Sequence, residues 1–201
     1  MEYIVHFKNV DKKIFELISK FGEINFSISH KKSFAFHFEN LVSSIIGQQL
    51  SLKAARTIEQ RVKLILKNEI TPESILDSED DDLRKTGLSY SKISYIKNLS
   101  NSILNGKLDL RTVDVLSDDE VITVLTKVKG IGKWTAEMFL IFSLKRPDVF
   151  SLTDVGLLNS IKKLYGDRLS KDEILTIINK WKPYRSYAAI YLWKSLDNDS
   201  E

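Results

Sequence analysis

Only eight glycines and three prolines interrupt 201 residues. Residues that break regular backbone are therefore few, and apolar residues recur at helical rather than alternating spacing. Ala54, Ile58, Val62 and Ile65 follow Ser51, whose hydroxyl suits an N-cap. Ile93, Ile96, Leu99 and Ile103 form a second stripe, and Ser117 with Glu120 has the spacing of a capping box ahead of Val121, Val124 and Leu125. Pro72 after Thr71 and Pro183 after Lys182 suit first helical turns. Beyond Pro183, Tyr184, Tyr187, Ala188, Tyr191 and Leu192 mark one helix face. Phe34-Ala35-Phe36-His37-Phe38 alternates and is a candidate extended stretch, although it runs straight into a helical pattern. The prediction is an all-α chain of about ten helices in one cooperative unit, without repeats, low-complexity tracts or flexible linkers.

Composition narrows the chemistry. At 43% hydrophobic residues the chain can bury a real core. With no cysteine, disulfides, thiolate nucleophiles, cysteine zinc sites and iron–sulfur clusters are excluded. The N-terminus, Met1 to Lys8, lacks the apolar core of a signal peptide, and no apolar run approaches the ~20 residues a membrane span needs. The expectation is a soluble intracellular protein, cytoplasmic with the nucleoid, or nuclear in a eukaryote. Net charge is only +3, but it is unevenly spread. Acid collects at Glu79-Asp80-Asp81-Asp82, while Lys127, Lys129, Lys133 and Lys145 face a single acid, Glu137, over their stretch. Such a patch suits a phosphate backbone.

The most informative segment is Leu125-Thr126-Lys127-Val128-Lys129-Gly130-Ile131-Gly132-Lys133-Trp134-Thr135-Ala136. One helix ends, two glycines bracket an apolar residue, and another helix begins. The glycines permit a tight turn and close approach of another backbone. The free N–H groups opening the new helix then point at whatever sits there; a phosphate suits them, and the flanking lysines add attraction. Taken alone, G-x-G favours a plain helical corner.

Four segments in order carry a resemblance. Gly130-Ile131-Gly132-Lys133-Trp134-Thr135-Ala136 resembles the hairpin of the helix–hairpin–helix DNA glycosylase superfamily. Asp148-Val149-Phe150-Ser151-Leu152-Thr153-Asp154 resembles the loop with the family's essential aspartate, twenty residues beyond Trp134. The run from Phe38 to Ser51, ending Gly47-Gln48-Gln49-Leu50-Ser51, resembles its helix and wedge loop. Trp181-Lys182-Pro183-Tyr184-Arg185-Ser186-Tyr187-Ala188-Ala189 resembles the C-terminal signature of the 3-methyladenine DNA glycosylase II branch.

The resemblance implies roles residue by residue. Asp154 matches the catalytic carboxylate, and Thr153-Asp154 ahead of an apolar stretch also reads as a helix cap. Breaking an N-glycosidic bond builds positive charge on the sugar, which a carboxylate stabilises. Trp134 stands where bifunctional members hold a Schiff-base lysine, which implies a glycosylase without lyase activity. Trp134, Met138, Val155 and Trp193 are the implied base pocket, where a cationic base gains from an indole face. Both tryptophans also suit core packing. Val155-Gly156 replaces bulkier residues of some relatives and leaves the pocket's shape open. Gln48, Gln49, Leu50 and Ser51 are the implied plug and wedge, with helix capping as their plain alternative. Gly130, Gly132, Lys133 and Thr135 are the implied phosphate contacts.

No cofactor is expected for catalysis. The carbonyls of Thr126, Val128 and Ile131 are implied ligands for a structural Na+ or K+. His6, His30 and His37 lack zinc-site spacing. The implied architecture is two helical subdomains with the active site in a cleft. Residues 1–36 would pack with a C-terminal subdomain, 147–201, carrying Asp154. Residues 37–146 would form a helical barrel with the hairpin near 125–136. The expected partner is damaged double-stranded DNA, bound by a monomer. The rival readings are a noncatalytic hairpin protein, a glycosylase for deaminated or oxidised bases, and an unrelated helical module.

Overall fold

The computed structural model describes residues 2–24, 26 and 33–197; His30 lies outside them. Every regular element among the described residues is helical, in keeping with the all-α expectation. The chain divides into two compact units, Met1–Ile28 with Lys145–Glu201, and Ser29–Leu144.

The first unit draws on both ends of the chain. It contains α1 (Glu2–Val10), α2 (Lys12–Phe21), α10 (Val155–Tyr165), α11 (Lys171–Lys180) and α12 (Arg185–Asp197). Phe7, Ile14, Leu157, Ile161, Trp181, Ala188, Tyr191 and Leu192 pack into one core. Asp11 holds it together from the N-cap of α2. Its Oδ1 accepts from the backbone N–H of Lys13 and Ile14, at 3.1 and 3.2 Å. Its Oδ2 accepts from the Tyr165 hydroxyl at 2.6 Å and the Trp181 indole at 2.8 Å. A buried carboxylate is tolerable only with its lone pairs occupied. Pro183 follows a cis peptide bond and lies two residues ahead of α12, not in its first turn as the sequence suggested. The tyrosine and alanine face behind it is correct, with Ala188, Tyr191 and Leu192 fully buried.

The second unit contains α3 (Phe34–Gly47), α4 (Leu52–Ile65), α5 (Pro72–Asp77), α6 (Asp80–Lys85), α7 (Tyr90–Leu104), α8 (Asp118–Thr126) and α9 (Lys133–Met138). A π-helical segment, Phe139–Ser143, continues α9, and a 3-10 turn spans Val113–Val115. The caps at Ser51 and Ser117 were local enough to read in advance. Ser51, Thr71 and Ser117 each accept from a backbone N–H three residues on, and Glu120 returns the bond to Ser117. That backbone bond holds the Glu120 carboxyl below its ordinary range. Phe34–Phe38 is helix, not extended chain. Ser33 caps the turn at Phe36, and the Phe34 and Phe38 rings stack at 6.2 Å, one turn apart. His37, within this turn, is fully buried, and its Nδ1 lies 2.9 Å from Ser143 Oγ, tying α3 to the π segment.

Candidate functional site

The residues singled out fall in both units, and each group is built locally. In the first unit the approach to Asp154 is pinned by the start of α12. Arg185 grips Asp148 in a fork, Nε to Oδ1 at 2.7 Å and Nη2 to Oδ2 at 3.0 Å, and Nη2 also donates to the Asp148 carbonyl at 2.8 Å. Such bidentate, charge-assisted pairs fix direction as well as distance. Ser186 donates to the Arg146 carbonyl at 2.6 Å and accepts from Val149 N–H at 2.9 Å. Arg185 and Ser186 of the C-terminal signature therefore order the loop that leads to Asp154.

Asp154 caps α10 and is 9% exposed. Its Oδ1 accepts from Leu157 N–H at 2.8 Å and from the Trp193 indole N–H at 3.4 Å. Capping fixes the carboxylate's place; it does not compete with a chemical role. Gly156 leaves space beside this carboxylate. A Cβ at 156 would stand 3.1 Å from Asp154 Oδ1 and 3.4 Å from Leu196 Cδ1. The small residue read as concerning pocket shape also lies beside the aspartate itself, where a side chain would press on it. Trp193 is half-buried, whereas Val155 is 68% exposed.

In the second unit α8 ends at Thr126, and Gly132 stands at the N-cap of α9 without a side-chain cap. A helix start leaves its first N–H groups without intrahelical acceptors. Gly130 has φ 103, a left-handed conformation that disfavours side chains. It also lies against Tyr95, whose ring carbon Cγ would be 2.2 Å from a Cβ built there. The close approach expected at the hairpin is thus to an aromatic ring. Lys133 is exposed and lies 3.9 Å from Glu137 of the next turn. Trp134 is half-buried; Thr135 and Met138 are buried.

The wedge residues separate. Ser51 serves as the α4 cap. Gln48 turns inward, its amide donating to the Gly130 carbonyl at 3.1 Å and Thr135 Oγ1 at 3.0 Å. Gln49 and Leu50 are exposed. Sequence reasoning missed Lys92, whose ammonium reaches the carbonyls of Ile46 at 2.6 Å and Gln48 at 2.7 Å. It likewise missed Tyr95, Arg185 and Asp11. A lysine on an otherwise apolar stripe was the one available hint for Lys92. Among the described residues no cluster of His, Asp and Glu suits a metal, and no helix is long and apolar enough to cross a membrane.

The two-glycine turn between α8 and α9 has the form of a helix–hairpin–helix. The chain belongs to the HhH-GPD superfamily of base excision DNA repair proteins, whose family model matches residues 42–184. Within it, the relatives point to the branch named for 3-methyladenine. DNA-3-methyladenine glycosylase 1 of Schizosaccharomyces pombe is 34% identical over 95% of this chain and 85% of its own length. DNA-3-methyladenine glycosylase of Bacillus subtilis is 31% identical over 79% of this chain. The chain spans 57% of that protein's length, and 58% of a second Bacillus subtilis relative. The solved structure of the Schizosaccharomyces pombe 3-methyladenine DNA glycosylase Mag1 with abasic DNA aligns with a TM-score of 0.84 and 33% identity. That alignment covers 98% of this chain and 97% of the other.

Proposed function

We propose that the protein is a monofunctional DNA glycosylase of base excision repair. It extrudes an alkylated purine of the 3-methyladenine type from duplex DNA and hydrolyses the N-glycosidic bond. The observation that carries this reading is Asp154, a buried carboxylate at a helix N-cap, held by Leu157 N–H and the Trp193 indole and reached through a pinned loop. Departure of the base leaves positive charge on the sugar, and a fixed carboxylate stabilises that charge without reorganising. An alkylated purine is already cationic, so it departs without strong general-acid help. The hairpin N–H groups of α9, with Lys133, hold a backbone phosphate. Trp134 and Met138 are the proposed base contacts of the second unit, and Val155 and Trp193 those of the first.

Trp134 carries no amine at the position where a Schiff base would form, and the adjacent Lys133 is exposed beside Glu137. These features support hydrolysis without strand cleavage. The chemical step draws on no metal. The proposed ligands of a structural Na+ or K+ are the hairpin carbonyls of Thr126, Val128 and Ile131, where the ion would add positive charge for a phosphate. The Val128 carbonyl accepts from Ile131 N–H at 3.0 Å, and a carbonyl offers a second lone pair to an ion. The protein is read as a monomer acting on one lesion.

The test is release of free base from methylated duplex DNA, followed by alkali. The expected result is free 3-methyladenine, with strand breaks only after alkali. Breaks without alkali would overturn the monofunctional assignment. No release from methylated DNA or from ethenoadenine, hypoxanthine and uracil duplexes, despite salt-sensitive binding, would favour a noncatalytic hairpin protein.

A further inference from the structure

We infer that Gln48 and Lys92 form a splint that locks the projecting Gln49 and Leu50 in fixed register with the phosphate-gripping hairpin. Seating the hairpin on a strand then drives both side chains into the duplex. The inference rests on the glycosylase reading above and concerns how the same site opens DNA.

Helix α3 stops at Gly47, and a stopped helix leaves carbonyls without partners. Lys92 of α7 takes two of these terminal carbonyls, Ile46 and Gln48, at 2.6 and 2.7 Å. Burial pushes its pKa down, so the ammonium sits in a partly dry place where two carbonyl partners matter. The Gln48 side chain then reaches the hairpin at both ends of its turn, the Gly130 carbonyl and Thr135 Oγ1. One turn along α7 from Lys92, Tyr95 lies against Gly130. A single helix face therefore carries both the wedge loop and the hairpin.

Between these ties the chain is shaped to project. Gln49 has φ 57, a left-handed turn unusual for a side-chain residue. Leu50 is 39% exposed, and Ser51 is fixed as the α4 cap. The loop is held at its start, beneath and at its end, while Gln49 and Leu50 are offered outward. A wedge ordered in advance loses little freedom on entering DNA. Gln48 and Lys92 touch no reacting atom and are positioning residues.

The experiment compares single-turnover excision by Gln48→Ala and Lys92→Met on two substrates, using the lesion the wild type excises fastest in the panel above. In one the lesion is paired; in the other it faces an abasic gap, where extrusion costs little. On the paired duplex the rate is expected to fall about 100-fold, the scale of a misplacement of about 1 Å. On the gapped duplex the loss should shrink below about tenfold, and binding to undamaged duplex should stay within about threefold. Lys92→Arg should recover part of the paired-duplex rate, and a joint Gln49→Ala, Leu50→Ala variant should reproduce the same substrate dependence. Equal losses on both substrates would mean a merely structural role and overturn the splint, as would an undiminished rate on paired DNA. A wild type that excises nothing from either substrate would instead overturn the glycosylase reading, and the splint with it.

Discussion

Two buried aspartates in one unit cap helices in nearly the same way, yet their surroundings give them different work. Asp11 is 8% exposed and Asp154 is 9% exposed. Asp11 spreads its bonds over both oxygens, two backbone N–H groups on Oδ1 and the Tyr165 and Trp181 side chains on Oδ2. Its donors come from three helical regions far apart in sequence, so it is a knot in the core. Asp154 Oδ1 takes Leu157 N–H of its own helix and the Trp193 indole N–H of α12. Its neighbour is a glycine whose missing side chain leaves room beside that oxygen. A cap is therefore not a function; what decides is whether the partners bind the carboxylate into the core or set it in place.

The largest expected effect falls on activity. Asp154→Asn keeps an N-capping side chain, so the melting temperature should hardly move. Single-turnover base release should fall by at least about 10²–10³-fold, the usual cost of losing a fixed electrostatic partner. Near-normal release would erase the contrast between the two aspartates. Asp11→Ala should do the reverse. It removes a cap and strands the Tyr165 hydroxyl and Trp181 indole, so denaturant melts should show a loss of about 3 kcal/mol. Release per folded molecule should remain close to wild type.

Gly156→Ala probes the space beside Asp154. Its Cβ would press on Oδ1 at 3.1 Å. The expected outcome is about a tenfold loss of base release with little change in melting, because a small displacement of a reacting group is costly. An unchanged rate would show that Oδ1 can shift without consequence.

The smallest effect is a pH slope around Asp11. Burial, then the hydrogen bond to Asp11, pushes the Tyr165 phenol above its ordinary 10.0. The proton is thus held more tightly in the folded chain. Its stabilisation is fully present below pH 10 and is lost as pH rises toward the folded value. Wild type should therefore lose stability above pH 10 more steeply than Tyr165→Phe. Parallel curves would remove Tyr165 from the Asp11 knot.

Features confined to one turn were legible in the sequence. The caps at Ser51 and Ser117 follow from a hydroxyl and its own neighbours, and the hairpin from two glycines between helical stripes. Phe34–Phe38 misled because alternation over five residues matches strand spacing, while the decisive facts are the Ser33 cap and the helical run beyond it. Gln48 was read as reaching outward because a loop glutamine shows no direction until its amide meets Gly130 and Thr135, more than 80 residues away. Lys92, Arg185 and Asp11 were invisible for the same reason: each acts on a partner that only folding brings near. Asp154 was found by resemblance; that Gly156 makes room beside it required coordinates.

The first unit joins residues from both ends of the chain, which sets a timetable for synthesis. Trp181 lies 170 residues after Asp11. At about 5–20 residues per second, the Asp11 carboxylate waits roughly 10–30 s on the ribosome for that donor. The Ser29–Leu144 unit is continuous and can condense as it emerges. The hairpin is thus born early, and the aspartate unit matures only when α11 and α12 arrive, so a nascent chain can complete its two-glycine turn well before Asp154 is set in place.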